Sequence, residues 1–253
     1  MRIFKSLCIA FSMYSKIPVP QFEWKEEDMK YSLCFLPFVG IVIGGLLVFW
    51  KKAADYFHVG NLCFVMIAAA VPVLVTGGIH IDGYMDTMDA LHSYQDREKK
   101  LEILKDPHIG AFSVIMLLVY YLLYLGFLSE ADTLQIISMA AIGMIWSRIL
   151  GALSVVTLNP SKKNGLLRIF ADAASRKTVI AVLTAEGLIC TGIMCSLAFS
   201  VGISIMAATG LWFWYYRHRC YKEFGGVSGD TAGYFITICE LIVIMTAVAG
   251  FHF

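Results

Sequence analysis

A helix that crosses the hydrocarbon core of a bilayer takes about 20 mostly apolar residues. Seven stretches of this chain meet or nearly meet that length: 31–50, 60–79, 110–128, 134–158, 178–199, 201–216 and 232–251. In lipid every backbone N–H and C=O must find its partner within the chain, so such stretches fold as helices. The expected fold is all-α: a polytopic helical membrane protein of about seven spans. The fifth and sixth stretches meet near Ser200 without a charged loop. They form either a tight hairpin or one long broken helix, so six spans is the alternative. Charged residues make up only 15% of the chain, against about a quarter in soluble domains, which excludes a soluble protein. Residues 1–253 read as a single integral-membrane domain, with no separate soluble part, no low-complexity tract and no repeat.

Lys and Arg collect on the cytoplasmic side of membrane helices. The loops here alternate sharply, with seventeen Lys and Arg on one side against two on the other, Lys51 and Lys52. The pattern predicts a cytoplasmic N-terminus, a C-terminus across the membrane and a hairpin at Ser200. Residues 1–17 have a basic start and an apolar middle but no small-x-small cleavage site, and so read as an uncleaved helix lying in the interface. The net charge of +1 is spread over several loops and gives no reason to expect nucleic acid. Seven cysteines form no C-x-x-C pair, which predicts neither a disulfide framework nor a zinc site.

Within this charge-poor chain, Asp82, Asp86 and Asp89 stand four and three residues apart at the end of an apolar run. An α-helix advances about 100° per residue and stacks the three within about 60° of arc. Stacked carboxylates repel one another unless a cation neutralises them. Oxygen ligands suit Mg²⁺ or Mn²⁺, which keep some waters and bridge to phosphate oxygens. The structural alternative is a solvated helix end. Tyr84, Met85, Met88 and Leu91 form a flanking apolar face, so the segment reads as a packed amphipathic helix. Gly77 and Gly78 permit a bend where the second span ends. His80 points about 200° away from Asp82 on a regular helix and reads as a boundary residue, with substrate contact as the other role.

Four further features carry polar chemistry. Asp106 and Pro107 read as the N-cap and first residue of the third span; with Lys105 beside them, that helix start is also a candidate anion site. Arg148 lies inside the fourth span and needs a carboxylate or a substrate phosphate as partner; Glu186 and Glu240 are the carboxylates within membrane helices. The segment 225–233 holds four glycines that let backbone approach a ligand closely. Within it Gly225, Gly226 and Ser228 are candidate substrate contacts, and Asp230 is either an N-cap or a further metal ligand. The basic loop 159–177, with Lys162, Lys163 and Arg168, follows the sidedness rule and offers contacts to an anionic substrate.

Several motifs in order resemble the cobalamin synthase (adenosylcobinamide-GDP ribazoletransferase) family: Ile17-Pro-Val-Pro20, Leu36-Pro-Phe-Val-Gly-Ile-Val-Ile-Gly44, Gly77-Gly-Ile-His-Ile-Asp-Gly-Tyr-Met-Asp-Thr-Met-Asp89, Leu104-Lys-Asp-Pro-His-Ile-Gly-Ala-Phe112, Arg148 and Gly225-Gly-Val-Ser-Gly-Asp230. The chain departs from the family pattern at Ala90, where Gly is common, at His108, where Arg is often found, and at Ser228, where Thr is common. The resemblance implies a Mg²⁺-dependent transferase of a prokaryotic inner membrane. It would join adenosylcobinamide-GDP to α-ribazole or its 5′-phosphate and release GMP. On that reading a ribose 5′-hydroxyl attacks the phosphorus attached to cobinamide. Asp82, Asp86, Asp89 and Asp230 hold Mg²⁺ against the diphosphate, and one of them or Asp106 accepts the proton. Arg148 stabilises developing charge or holds the acidic cluster. A homo-oligomer and association with other corrin-pathway enzymes stay open.

Two rival functions remain on the sequence. CDP-alcohol phosphotransferases expect Asp-Gly-x-x-Ala-Arg, which Asp82-Gly-Tyr-Met-Asp86 does not supply; aspartate-rich prenyltransferases share the same carboxylate chemistry. A cation-coupled transporter would use Arg148, Glu186 and Glu240, but its acidic groups belong at the midplane and not clustered at one surface.

Overall fold

A computed structural model describes residues 2–161 and 166–252. They form twelve α-helices and one 3₁₀ turn, with a single isolated bridge between Pro160 and Val227 in place of any strand. Helix α1 (Arg2–Tyr14) buries Ser6, Cys8, Ile9 and Ala10 and leaves Ile3 and Phe4 exposed. Lys5 pairs with Asp28 of α2 (Glu26–Met29) at 3.2 Å, which fastens α1 across the start of the bundle. The exposed apolar pair suits an interfacial helix.

The long helices are α3 (Leu36–Tyr56), α4 (Asn61–Thr76), α7 (Ala111–Ser129), α8 (Leu134–Thr157), α10 (Arg176–Leu197), α11 (Phe199–Phe224) and α12 (Gly229–His252). Between them lie α5 (Ile79–His92), α6 (Arg97–Ile103) and α9 (Leu166–Ala173). The connections gather at two ends. At one, Asn61 Nδ2 donates to the Ser129 carbonyl, Gln135 Nε2 donates to that of Leu197, and His252 lies 3.6 Å from Asp132. At the other, Lys16 N–H donates to the Val75 carbonyl and Ser161 N–H to that of Val227. Each long helix runs between these ends.

Among the described residues, five helical segments have the length and apolarity to cross a membrane: Glu26–Tyr56, Ala111–Ser129, Leu134–Thr157, Arg176–Leu197 and Gly229–His252. The second expected span is broken. Its α4 part ends at Gly77, and α5 departs at 93°. Gly77 and Gly78 both take positive φ, 66° and 83°, a backbone that side chains other than Gly rarely adopt. The turn between α10 and α11 falls at Ala198, two residues before its expected place, and Gly202 packs on the Met194–Cys195 backbone. This is the hairpin and not one long helix. Helix α11 runs eight residues past the expected 201–216, because its C-terminal turns dock on α6.

Small residues set the packing. Gly40 and Gly44 of α3 press on the backbone of Met144 and Ala141 in α8; a Cβ at Gly44 would come within 2.6 Å of the Ala141 oxygen. Without a hydrophobic force between helices in lipid, such close approach supplies the association. Helices α8 and α12 are the most enclosed, and α7 turns Val114, Ile115, Leu118 and Leu122 outward, as a lipid-facing helix would. All seven cysteines are free.

Candidate active site

The acidic residues fall on α5, as their spacing requires. Tyr84, Met88 and Leu91 are buried on its opposite flank. The Tyr84 hydroxyl donates to the Met116 carbonyl at 2.9 Å, and its ring packs on Tyr120 and Tyr234. That anchoring leaves Asp82 exposed and Asp86 and Asp89 partly so. The three line one small hollow with Ile103, His108 and Gly110. Gly110 rests directly against the Asp89 carboxylate, where a Cβ would collide.

Helix α12 begins against the same face. Its first turn crosses α5 at Gly83, where a Cβ would sit 2.9 Å from the Asp230 Cα, and Gly233 in turn lies on the His80 backbone. The Thr237 hydroxyl donates to the His80 carbonyl at 3.2 Å. Asp230 is not the N-cap. Ser228 and Thr231 cap the helix reciprocally: Ser228 N–H donates to Thr231 Oγ1 at 2.8 Å, and Thr231 N–H to Ser228 Oγ at 3.2 Å. Capping therefore does not use the Asp230 carboxylate, which accepts from the Ser228 hydroxyl at 3.3 Å. Gly225 ends α11 with φ 76°, and Gly226 packs on the 159–161 backbone, so both glycines shape the turn that carries Ser228.

Asp82 and Asp230 share the wall of a cavity of about 290 Å³ between α5, α12, α8 and the end of α1. Asp82 also faces a wider, more open hollow bounded by Ser12, Lys16 and Gly77. It thus lines the three hollows that meet at this end of the bundle. Among the described residues no three His, Cys, Asp or Glu side chains already converge as a metal cage. Mg²⁺ does not ask for one: it is commonly held by one or two carboxylates, retained waters and substrate phosphates. An all-oxygen, water-exposed donor set of this kind fits it.

The expected cap at Asp106 is corrected. Helix α7 starts at Ala111 with Gly110 as its N-cap. Asp106 instead accepts from His108 N–H at 3.0 Å and contacts His108 Nδ1 at 2.6 Å. The short side chain prefers this local turn to a helix start four residues away. The His108 backbone N–H, then its ring, hold the Asp106 carboxyl below the usual carboxylate range. Lys105 is exposed on the same loop. Lys162 and Lys163 lie outside the described residues, as does the Arg168 side chain.

Arg148 is deeply buried, and its guanidinium meets Glu240 at 2.7 Å and the Met144 carbonyl at 2.7 Å. Of the two candidate carboxylates it is Glu240 that answers it. With both groups enclosed between α8 and α12, Arg148 braces the helices behind the acidic face and is not placed at the mouth where a phosphate would bind.

The sequence singled out neither the α6 contact nor the part of α1 that closes the cavity. Lys100 of α6 pairs with Glu223 at 2.5 Å, Arg219 reaches the same carboxylate at 2.9 Å, and Arg97 donates to the last carbonyls of α11 at Tyr221 and Lys222. A cation at a helix C-terminus is well placed there. These residues stand beyond the apolar part of α11. Lys100, chiefly through its hydrogen bond, holds the Glu223 carboxyl below its ordinary range. A carboxyl so depressed stabilises the fold above its unfolded pKa, about 4.3, and loses that contribution as pH falls through its lower folded value. Lys100→Ala is expected to loosen α6 and to speed tryptic cleavage across 93–110 severalfold at neutral pH; an unchanged cleavage rate would show that the Lys100–Glu223 pair does not hold α6.

The chain matches the family model described as cobalamin-5-phosphate synthase over residues 6–248. It is 42% identical to an adenosylcobinamide-GDP ribazoletransferase of Lachnoclostridium phytofermentans, over 98% of this chain and 95% of that protein. Proteins of the same name from Clostridium botulinum and Clostridium perfringens are 30% and 31% identical, each over 97% of this chain and at least 97% of the relative. No solved structure matches.

Proposed function

The chain belongs to the cobalamin-5-phosphate synthase family, and on that premise we propose that it transfers the cobinamide phosphate of adenosylcobinamide-GDP to α-ribazole or its 5′-phosphate, releasing GMP. The observation that carries the reading is the meeting of α5 and α12 at Gly83, which sets Asp82 and Asp230 on one cavity wall beside Asp86 and Asp89.

The family's description puts a phosphate at position 5 of its product. An acceptor already phosphorylated there has no 5′-hydroxyl, so we place the attack on another hydroxyl than the 5′ one expected from the sequence. The nucleophile common to α-ribazole and its 5′-phosphate is a secondary ribose hydroxyl. Its oxygen bonds to the phosphorus attached to cobinamide, the bond from that phosphorus to the bridging oxygen breaks, and GMP leaves with the oxygen. A carboxylate of the acidic face accepts the hydroxyl proton. Asp82 suits this role best, being exposed and next to the cavity that also holds Ser228 and Asp230. Asp86 and Asp89, which share one hollow, would hold Mg²⁺, with Asp230 across Gly83 the further candidate ligand; when bound the ion would neutralise the diphosphate and its leaving group. The buried flank of α5 keeps Asp82, Asp86 and Asp89 in register, a positioning effect on which phosphoryl transfer largely rests.

Purified protein supplied with adenosylcobinamide-GDP should form GMP in equal amount to the joined product, and only when α-ribazole or its 5′-phosphate is present. GMP formed without an acceptor would point to a hydrolase, and ion movement in liposomes without GMP to a transporter.

The site faces the cytoplasm of a prokaryotic inner membrane on this reading, with seven spans. The support is the excess of Lys and Arg at the end of the bundle that carries the acidic face. A phosphatase reporter fused after residue 252 is expected to be active outside, and one inserted at 104–106 inactive. The reverse pattern would invert the topology.

A further inference from the structure

Asp82 stands between two spaces of different shape. On one side is the enclosed cavity of about 290 Å³, and on the other the open hollow of about 580 Å³ bounded by Ser12, Lys16, Gly77 and Ile81. The second is within the ordinary size of ligand pockets, about 300–1,000 Å³.

Lys16 is the one Lys or Arg, among the described residues, that lines any of the three hollows at Asp82. His80 brings nothing to a ligand there, since its Nε2 is sealed in and the residue also borders the inner hollow of Arg148 and Glu240. The Lys16 backbone N–H donates to the Val75 carbonyl at 2.8 Å, which pins the residue beside the bend between α4 and α5. Its aliphatic stem then lies on Gly77, where a Cβ would collide with the Lys16 Cγ, Cδ and Cε. Gly77 therefore serves twice: it takes the positive φ of the bend and leaves the space that the stem fills. A stem held in this way loses less rotamer freedom on meeting a ligand than a free lysine does. The residue is exposed, so its ammonium is available to an anion, and phosphate is the anion that lysine commonly binds.

Phosphoryl transfer sets the attacking and leaving oxygens roughly in line, on opposite sides of the phosphorus. With Asp82 taking the proton of the attacking hydroxyl at the enclosed cavity, the bridging oxygen points the other way, toward the open hollow. As its bond to phosphorus breaks, the electron pair stays on that oxygen and the departing GMP gains negative charge. The carboxylates of α5 oppose that charge, and a fixed cation at the hollow favours it.

We propose that Lys16 binds the phosphate of the departing GMP in the hollow over Gly77, donating hydrogen bonds to its oxygens and keeping its own proton. The assignment rests on the transferase reading above and adds a leaving-group residue to it. A lipid headgroup offers the same phosphate oxygens, and the test separates the two sources.

Calorimetry on full-length protein in detergent with Mg²⁺ reads the binding of GMP and of guanosine without turnover. Wild-type protein is expected to bind GMP at least tenfold more tightly than guanosine. Lys16→Met should weaken GMP about tenfold, the size of one lost charged hydrogen bond, and leave guanosine within about twofold. Lys16→Arg, which keeps the charge, should recover most of the GMP affinity. In turnover Lys16→Met should lower kcat about a hundredfold, with KM for α-ribazole within about twofold. Wild-type protein that binds GMP no more tightly than guanosine overturns the assignment, as does unchanged GMP affinity in Lys16→Met. Equal weakening of GMP and guanosine overturns it too, by making Lys16 merely structural. A Lys16→Met protein that loses only its thermal stabilisation by phosphatidylglycerol assigns the lysine to a lipid headgroup instead. Lys16-dependent GMP binding by a protein that forms no joined product upholds the site and overturns the transferase reading.

Discussion

Asp82→Asn is expected to lower GMP release by about a thousandfold or more, ~4 kcal/mol of transition-state stabilisation, with no change in elution from a sizing column. Asn keeps the size of the side chain and removes its charge and basicity. Asp82 is exposed and its neighbours are held by other contacts: Gly83 by the α12 backbone, Tyr84 by Met116 and the surrounding rings. The fold therefore does not depend on the carboxylate, whereas three hollows meet at it. Loss in kcat, with little change in the binding of α-ribazole, is the pattern that places Asp82 at the reacting hydroxyl. An Asp82→Asn protein with near-normal kcat would move the base to another carboxylate.

Arg148→Met is expected to destabilise the protein by about 3–5 kcal/mol, because it leaves Glu240 buried between α8 and α12 without its counter-charge. The double change Arg148→Met with Glu240→Leu should recover most of that loss, since removing a buried pair together costs far less than breaking it. Thermal unfolding in detergent reads both. Activity of the double variant, measured below its unfolding temperature, separates the roles: a brace leaves kcat within a few-fold, while a group that touches phosphate would not. If the double variant folds well and is inactive, Arg148 belongs in the catalytic machinery after all.

The helical architecture was legible because lipid leaves the backbone little choice. Apolar length marked most of the long helices to within a few residues, and the Gly77–Gly78 pair marked the bend. The spacing of Asp82, Asp86 and Asp89 placed them together on one packed helix, and the charge of Arg148 demanded a buried partner. What the sequence hid depends on distant contacts. Nothing local distinguishes Glu240 from Glu186 as the partner of Arg148; the crossing of α8 and α12 decides it. The cap at Asp106 was misread because Asp-Pro fits a helix start and a loop turn equally well, and the hydrogen bond to His108 selects the turn. Ser161 and Met13 gave no signal at all, since each reaches the cavity only through the return of a separate segment. A serine after the Gly225–Gly226 turn could have suggested the cap at Ser228, for Ser228 and Thr231 are spaced as reciprocal caps are.

The most direct measurement is the initial rate of GMP release from adenosylcobinamide-GDP and α-ribazole against free Mg²⁺, for wild-type protein and Asp86→Asn. The acidic face predicts that wild-type release stops in chelator, returns on adding Mg²⁺ and saturates, while Asp86→Asn stays near zero or saturates only at far higher Mg²⁺. Full wild-type activity in chelator, or a Mg²⁺ response unchanged in Asp86→Asn, would contradict it.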